Sequence, residues 1–199
     1  MSESNHSVEA RPAKLLAVEE KFRGRVIQVN VERVRLPNGA IADLEITHHP
    51  GGAAIVALDA RMQICMLYQF RHAANGWVWE LPAGKIDHRE PPFETAQREL
   101  REEGGMIANS WQSLGHCLSS PGIFTEVIHL YLATDLTAVE TAPEEHEVFR
   151  VAWLPFDRVL DMADNGELVD GKSLVGVFRA ALKLGGKGRL SLSENHTKT

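Results

Sequence analysis

The stretch GKIDHREPPFETAQRELREEGGM, residues 84–106, decides how the rest of the chain is read. It runs Gly84, five residues, Glu90, seven residues, Arg98-Glu99-Leu100, one residue, Glu102-Glu103, one residue, Gly105 and the apolar Met106. The spacing predicts a helix over 93–104. Pro91 and Pro92 suit the preceding loop and the first turn, and Gly104-Gly105 suit the C-terminal end. At about 100° per residue, Phe93, Ala96 and Leu100 share an apolar face. Glu99 and Glu103, one turn apart, flank that face with Glu102 beside them. Three carboxylates so close repel one another and weaken an isolated helix. A hard divalent cation removes the repulsion, because Mg²⁺ takes oxygen ligands from one or two carboxylates together with substrate phosphates. A solvated charged helix is the plainer reading of the same run.

Every fixed position of this pattern matches the Nudix box, and the stretch resembles that signature of hydrolases cleaving a nucleoside diphosphate linked to another group. The resemblance implies an α/β fold, a Nudix α/β/α sandwich around a mixed sheet. The flanking sequence agrees with it. The apolar runs 53–58 and 64–68, joined by the turn-like Asp59-Ala60-Arg61, read as central strands. Further strands are expected at 79–81, 111–118, 126–133 and 148–154, and helices at 155–163 and 173–184. The last carries the apolar stripe Leu174, Val177, Phe178, Ala181 and Leu182. Upstream, Ile27, Val29 and Val31 alternate with polar residues, and Pro37-Asn38-Gly39 is a strong hairpin signal. The expected division is a tail and β-hairpin module over 1–48, a Nudix domain over 49–185 and a polar tail over 186–199. His48-His49 invites a metal reading, but neighbours on a strand point to opposite faces.

With 199 residues, 44% of them hydrophobic and 24% charged, the chain is large enough for one good core. A formal charge of −6 argues against a general nucleic-acid binder. Cys65 and Cys117 lie in apolar runs and read as buried thiols rather than a disulfide. No run is long enough to span a membrane, and the polar N-terminus lacks a signal-peptide pattern, so a cytoplasmic location is expected.

Phosphoanhydride hydrolysis needs charge neutralisation, an in-line water and a base for its proton. Glu99 and Glu103 are the first choice as metal ligands and Glu102 the next, with Mg²⁺ or Mn²⁺ as the ion. The resemblance adds the backbone carbonyl of Ala83, just before the box glycine. Arg98 reads as an orienting partner for the glutamates, with Glu90 paired to it. The guanidinium of Arg71, at the end of a strand, suits bidentate phosphate recognition, with a surface salt bridge as the alternative.

Tyr68-Gln69-Phe70-Arg71, Trp79-Glu80-Leu81-Pro82-Ala83-Gly84 and the Ser120-Pro121-Gly122 segment look like their counterparts in the ADP-ribose pyrophosphatase branch of the family. The Ser-Gln-Pro-Trp-Pro run of the NADH-cleaving branch is absent. That likeness implies Glu145 as general base and Glu147 as a further metal ligand. A register one residue different moves the base to Glu144, and a solvated acidic loop is the plain alternative. It also implies that Glu126 contacts the terminal ribose and that the hairpin swaps across a two-fold axis in a homodimer; Phe22, just before that hairpin, is assigned to stack on adenine, with a place in the core as the plain alternative. His88-Arg89 departs from the small or acidic residues frequent there, and Gly104 from a frequent threonine; neither position is a ligand. The activity implied is hydrolysis of ADP-ribose, a small-molecule nucleotide, to AMP and ribose 5-phosphate. The rivals are hydrolysis of a GDP- or UDP-hexose and a non-catalytic nucleotide-sensing regulator.

Overall fold

The computed structural model of the protein describes residues 12–87, 90–141 and 147–185. Among these residues ten strands and three α-helices follow in order: β1 (Lys14–Arg23), β2 (Gln28–Arg35), β3 (Ile41–His48), β4 (Gly52–Ala57), β5 (Gln63–Arg71), β6 (Gly76–Glu80), β7 (Ala83–Lys85), α1 (Pro92–Glu102), β8 (Met106–Leu118), β9 (Val127–Ala138), β10 (Phe149–Pro155), α2 (Phe156–Asp164) and α3 (Gly171–Leu184). They divide into two compact units, residues 1–50 with 120–126, and residues 51–119 with 127–199.

The first unit is a three-stranded antiparallel sheet in the order β1-β2-β3. The turn at Pro37-Asn38-Gly39 joins β2 to β3, where Leu36 and Ala40 are hydrogen-bonded and Gly39 takes a left-handed conformation. Two features modify the expected hairpin module. A third strand, β1, pairs along the whole of β2, so that Phe22 lies within a strand rather than before the hairpin. Residues 120–126, expected inside the catalytic domain, belong to this unit. Thr47 donates to the Ile123 carbonyl at 2.7 Å and accepts from Thr125 N–H at 3.0 Å, which docks the segment on β3. The adjacent histidines part company: His48 Nε2 meets Glu32 at 2.6 Å and His49 Nδ1 meets Glu126 at 3.3 Å.

The second unit has the α/β architecture expected from the sequence. A mixed four-stranded sheet, β7-β4-β9-β8, is accompanied by an antiparallel sheet, β10-β5-β6. β4 runs parallel to β9 and antiparallel to β7. Every residue of β4 is buried, which explains its unbroken apolar run: a strand covered on both faces has no side to leave polar. Its alternate side chains feed two cores. Ala54 and Val56 pack with Phe156, Val159 and Met162 of α2 and Val177 and Ala180 of α3. Ala53, Ile55 and Ala57 pack with Ala96 and Leu100 of α1. Helices therefore cover both faces, and α1 is fixed against the strand that carries the sheet's centre. Cys65 is buried and Cys117 half-buried. Among the described residues no helix is long and apolar enough to cross a membrane.

Candidate active site

The helix α1 starts at Pro92, whose missing N–H costs nothing in a first turn. It ends where Gly105 turns left-handed at φ 63°, a conformation that any side chain would strain. Between these ends Thr95, Ala96, Glu99 and Leu100 form the buried stripe. Phe93, the third residue of the expected apolar face, sits at its margin, where its ring meets Trp111 edge-on at 5.3 Å and Tyr131 at 5.5 Å.

Glu99 and Glu103 are not on a solvated face. They are 6% and 1% exposed, which sets aside the plainer reading of the charged run. Burial raises the Glu99 carboxyl to about 7, against the opposing pull of Arg98, and Glu102 and Glu147 add to the rise. Glu103 is raised to about 8, again first by burial. The Ala83 N–H and Arg71 oppose that rise, while Glu99 and Glu147 reinforce it. Burial is thus the first cause at both carboxyls, and the Glu147 charge adds to the rise at each. Nearby, burial and the Glu103 charge push the Cys65 thiol up to about 12, so it is inert.

The loop before α1 is tied to these groups. Glu103 Oε2 accepts from Ala83 N–H at 2.8 Å. Gly84 leaves the room that Glu99 occupies, for a Cβ there would stand 1.7 Å from Glu99 Oε1. Arg98 is the organising cation. Its Nη1 reaches Glu99 at 2.6 Å and Glu102 at 3.0 Å, its Nε and Nη2 reach Glu90 at 3.2 Å, and Nη2 also donates to the Lys85 carbonyl at 3.4 Å. Thr95, buried and unnoticed in the sequence, donates its hydroxyl to Glu90 at 2.8 Å. Glu102 is therefore turned to Arg98.

Of the residues proposed from sequence, the second unit brings together Ala83, Glu99, Glu102 and Glu103, with Glu147 near enough to raise the Glu99 and Glu103 carboxyls and Arg71 near enough to oppose the rise at Glu103. Arg71 makes a two-point ion pair with Glu80, at 2.7 and 2.8 Å. Sequence reasoning left Glu80 without a role, and its partner on α3, Lys172, lies too far along the chain for any local signal. Phe22, 55% exposed, and Glu126, paired with His49, belong to the other unit. Glu144 and Glu145, the departures His88-Arg89, residues 1–11 and the tail 186–199 lie outside the described residues.

The donor set around α1 is all oxygen, which suits Mg²⁺ or Mn²⁺ rather than a softer ion. Two buried, electron-rich carboxylates beside a main-chain strand fit such an ion on one side. Among the described residues no three His, Cys, Asp or Glu side chains form a ready-made cage. Mg²⁺ does not require one, since it keeps waters and takes substrate phosphates.

The NUDIX domain family model matches residues 48–174. The chain is 38% identical over 166 residues to an ADP-ribose pyrophosphatase of Mycobacterium tuberculosis, covering 82% of this chain and 80% of that one. It is 36% identical over 172 residues to an ADP-ribose pyrophosphatase of Bacillus subtilis, covering 85% and 93%. A crystal structure of an ADP compounds hydrolase superposes with a TM-score of 0.76 at 22% identity, over 90% of this chain and 98% of the other, which establishes the shared fold. With the box helix, the α/β architecture and the domain match in agreement, the chain belongs to the Nudix family.

Proposed function

We propose that the protein is a divalent-metal-dependent pyrophosphatase that hydrolyses ADP-ribose to AMP and ribose 5-phosphate. The observation that carries the chemistry is the burial of Glu99 on α1 together with Glu103 at its C-cap, each with its carboxyl raised well above the usual range. The substrate rests on the likeness to ADP-ribose pyrophosphatases over more than four-fifths of the chain.

In this reading Glu99, Glu103 and the Ala83 carbonyl hold the ion, with Glu102 and Glu147 as further ligands. When bound, Mg²⁺ or Mn²⁺ would neutralise charge on the diphosphate oxygens and make the attacking water more acidic. Arg98 holds the Glu99 and Glu102 carboxylates in place and, through the Lys85 carbonyl, the loop beside them. Arg71 presents its guanidinium to the diphosphate. Glu145 takes the proton from the attacking water, on the resemblance to the ADP-ribose branch. Glu126 and Phe22 are assigned on the same ground to the terminal ribose and the adenine.

The assembly that goes with this reading is a cytoplasmic homodimer formed through the first unit. Every residue of β1 is exposed, Leu15, Leu16, Val18 and Phe22 among them, and Ile41 and Leu44 of β3 are exposed too. So many apolar side chains in one small sheet are characteristic of an interface.

The test is a panel of ADP-ribose, GDP-mannose, UDP-glucose, NADH and diadenosine polyphosphates compared by kcat/KM, the quantity that measures discrimination. ADP-ribose is expected to lead by about tenfold or more, equivalent to ~1.4 kcal/mol in transition-state binding. A hexose conjugate ahead of it overturns the substrate and leaves the metal chemistry. No turnover of any diphosphate with either ion overturns the enzyme.

A further inference from the structure

A buried polar network lies outside the box, where β5, β6 and the first turn of α3 meet. At its centre is Glu80, the last residue of β6, with a side chain only 4% exposed. A carboxylate at that depth is expensive unless paired and hydrogen-bonded on both oxygens. Arg71 Nε donates to Oε1 at 2.7 Å and Arg71 Nη2 to Oε2 at 2.8 Å. Lys172 Nζ adds a second cation on Oε2. Burial alone would raise the Glu80 carboxyl, but Arg71 and Lys172 together hold it below its ordinary value.

Lys172 is held in turn. Asp170, the N-cap of α3, accepts from its ammonium at 2.9 Å and from the Ser173 N–H at 3.1 Å. The Ser173 hydroxyl, fully buried, donates to Asp170 and accepts from Leu81 N–H at 2.8 Å. One turn of α3 is thereby fastened both to Glu80 and to the segment that leads into Ala83.

The arrangement is uneven in a way that points to use. Glu80 is buried and Lys172 nearly so, yet the Arg71 side chain is 44% exposed. Glu80 engages the Nε–Nη2 edge of the guanidinium, and the three hydrogen bonds that reach the carboxylate leave Nη1 out. A guanidinium gripped along one edge is held in a plane, with its remaining donors directed elsewhere. Lys172 blocks the Glu80 carboxylate from following Arg71 if a stronger anion pulls on it.

We propose that Glu80 and Lys172 are positioning residues that lock the Arg71 guanidinium in the orientation in which it receives the substrate's diphosphate. This rests on the assignment of Arg71 to the phosphates under the proposed function. Binding, rather than the chemical step, is what the clamp serves, because a preorganised donor loses less freedom when the anion arrives.

The experiment compares Arg71→Ala, Glu80→Gln, Lys172→Met, Lys172→Arg and the double variant Arg71→Ala with Glu80→Gln. It reads KM and kcat for ADP-ribose with Mg²⁺, the calorimetric Kd for ADP, and Tm. The expected result is a KM and a Kd raised about tenfold in Glu80→Gln and Lys172→Met with kcat within about threefold, and recovery in Lys172→Arg. The double variant should be no worse than Arg71→Ala alone. If Glu80→Gln does not fold, the Lys172→Met and Lys172→Arg pair carries the same readout. An unchanged KM and Kd in folded Lys172→Met, or effects of Arg71 and Glu80 that simply multiply, overturns the clamp while Arg71 keeps its role. An unchanged KM in Arg71→Ala overturns the assignment of Arg71 itself and the clamp with it.

Discussion

Glu99 occupies the space in which a side chain at residue 84 would lie: a Cβ on Gly84 would stand 1.7 Å from Glu99 Oε1 and 2.1 Å from its Cδ. The glycine of the box is therefore a volume requirement. Gly84→Ala is expected to push the Glu99 carboxylate off its position while leaving both cores untouched. Displaced metal-site geometry costs about 10–100-fold in metal affinity or activity. Metal titration by calorimetry alongside kcat checks this, and wild-type values in the variant would refute the contact.

Glu99→Gln and Glu103→Gln replace buried carboxylates by neutral groups of the same shape. Each is expected to lower kcat by about 100-fold or more, the size of several kcal/mol of lost charge stabilisation. Without metal, neither should lower Tm at pH 8, because the charge removed is one that burial disfavours. Near-wild-type turnover at millimolar Mg²⁺ in either variant would show that the ligand assignment is wrong.

The same two carboxyls set a pH dependence. Their folded pKa values, about 7 and 8, lie above the ordinary 4.5. Between those limits the folded state binds more protons than the unfolded, so metal-free stability falls as pH rises from about 4.5 through 8. Glu80 has the opposite sign: its carboxyl is held low, so its contribution is present above pH 4.5 and lost as pH falls through its folded pKa. Metal-free Tm should thus drop by roughly 5 °C or more between pH 5 and pH 8. Saturating Mg²⁺ should flatten that slope. A flat metal-free profile from calorimetric scans would contradict the burial of the pair.

The apolar surface of the first unit predicts an assembly. Val18→Asp should convert a dimer into a monomer, as read by light scattering after size exclusion, since Val18 is exposed on β1. Removal of residues 1–47 should give a poorly soluble or inactive protein. A soluble, fully active monomer from that deletion would remove both the dimer and any role for Phe22.

Much of this was legible in the chain. The box helix announced itself through Pro92 and Gly105, and β4 through an apolar run that only a strand covered on both faces keeps. β1 was not legible, because KLLAVEEKFR has no side that alternates and every residue is exposed. β7 is three residues long, too short for any pattern. The burial of Glu99 and Glu103 could not be read either, since a charged residue's environment is decided by what α1 packs against. For the Glu80–Lys172 pair, the partners stand 92 positions apart. Sequence spacing names the carboxylates of the box; it is silent on the residues that hold them still.

The segment 120–126, inserted between β8 and β9 yet docked on Thr47, has a consequence for how the protein is made. The three-stranded sheet leaves the ribosome ahead of the segment it docks, which follows only after about 70 further residues, the gap from 50 to 120. At ribosomal speeds of 5–20 residues per second that is a wait of roughly 4–14 s. During it the edge of β3 that later receives Ile123 and Thr125 is open, alongside the exposed Leu15, Leu16 and Val18 of β1.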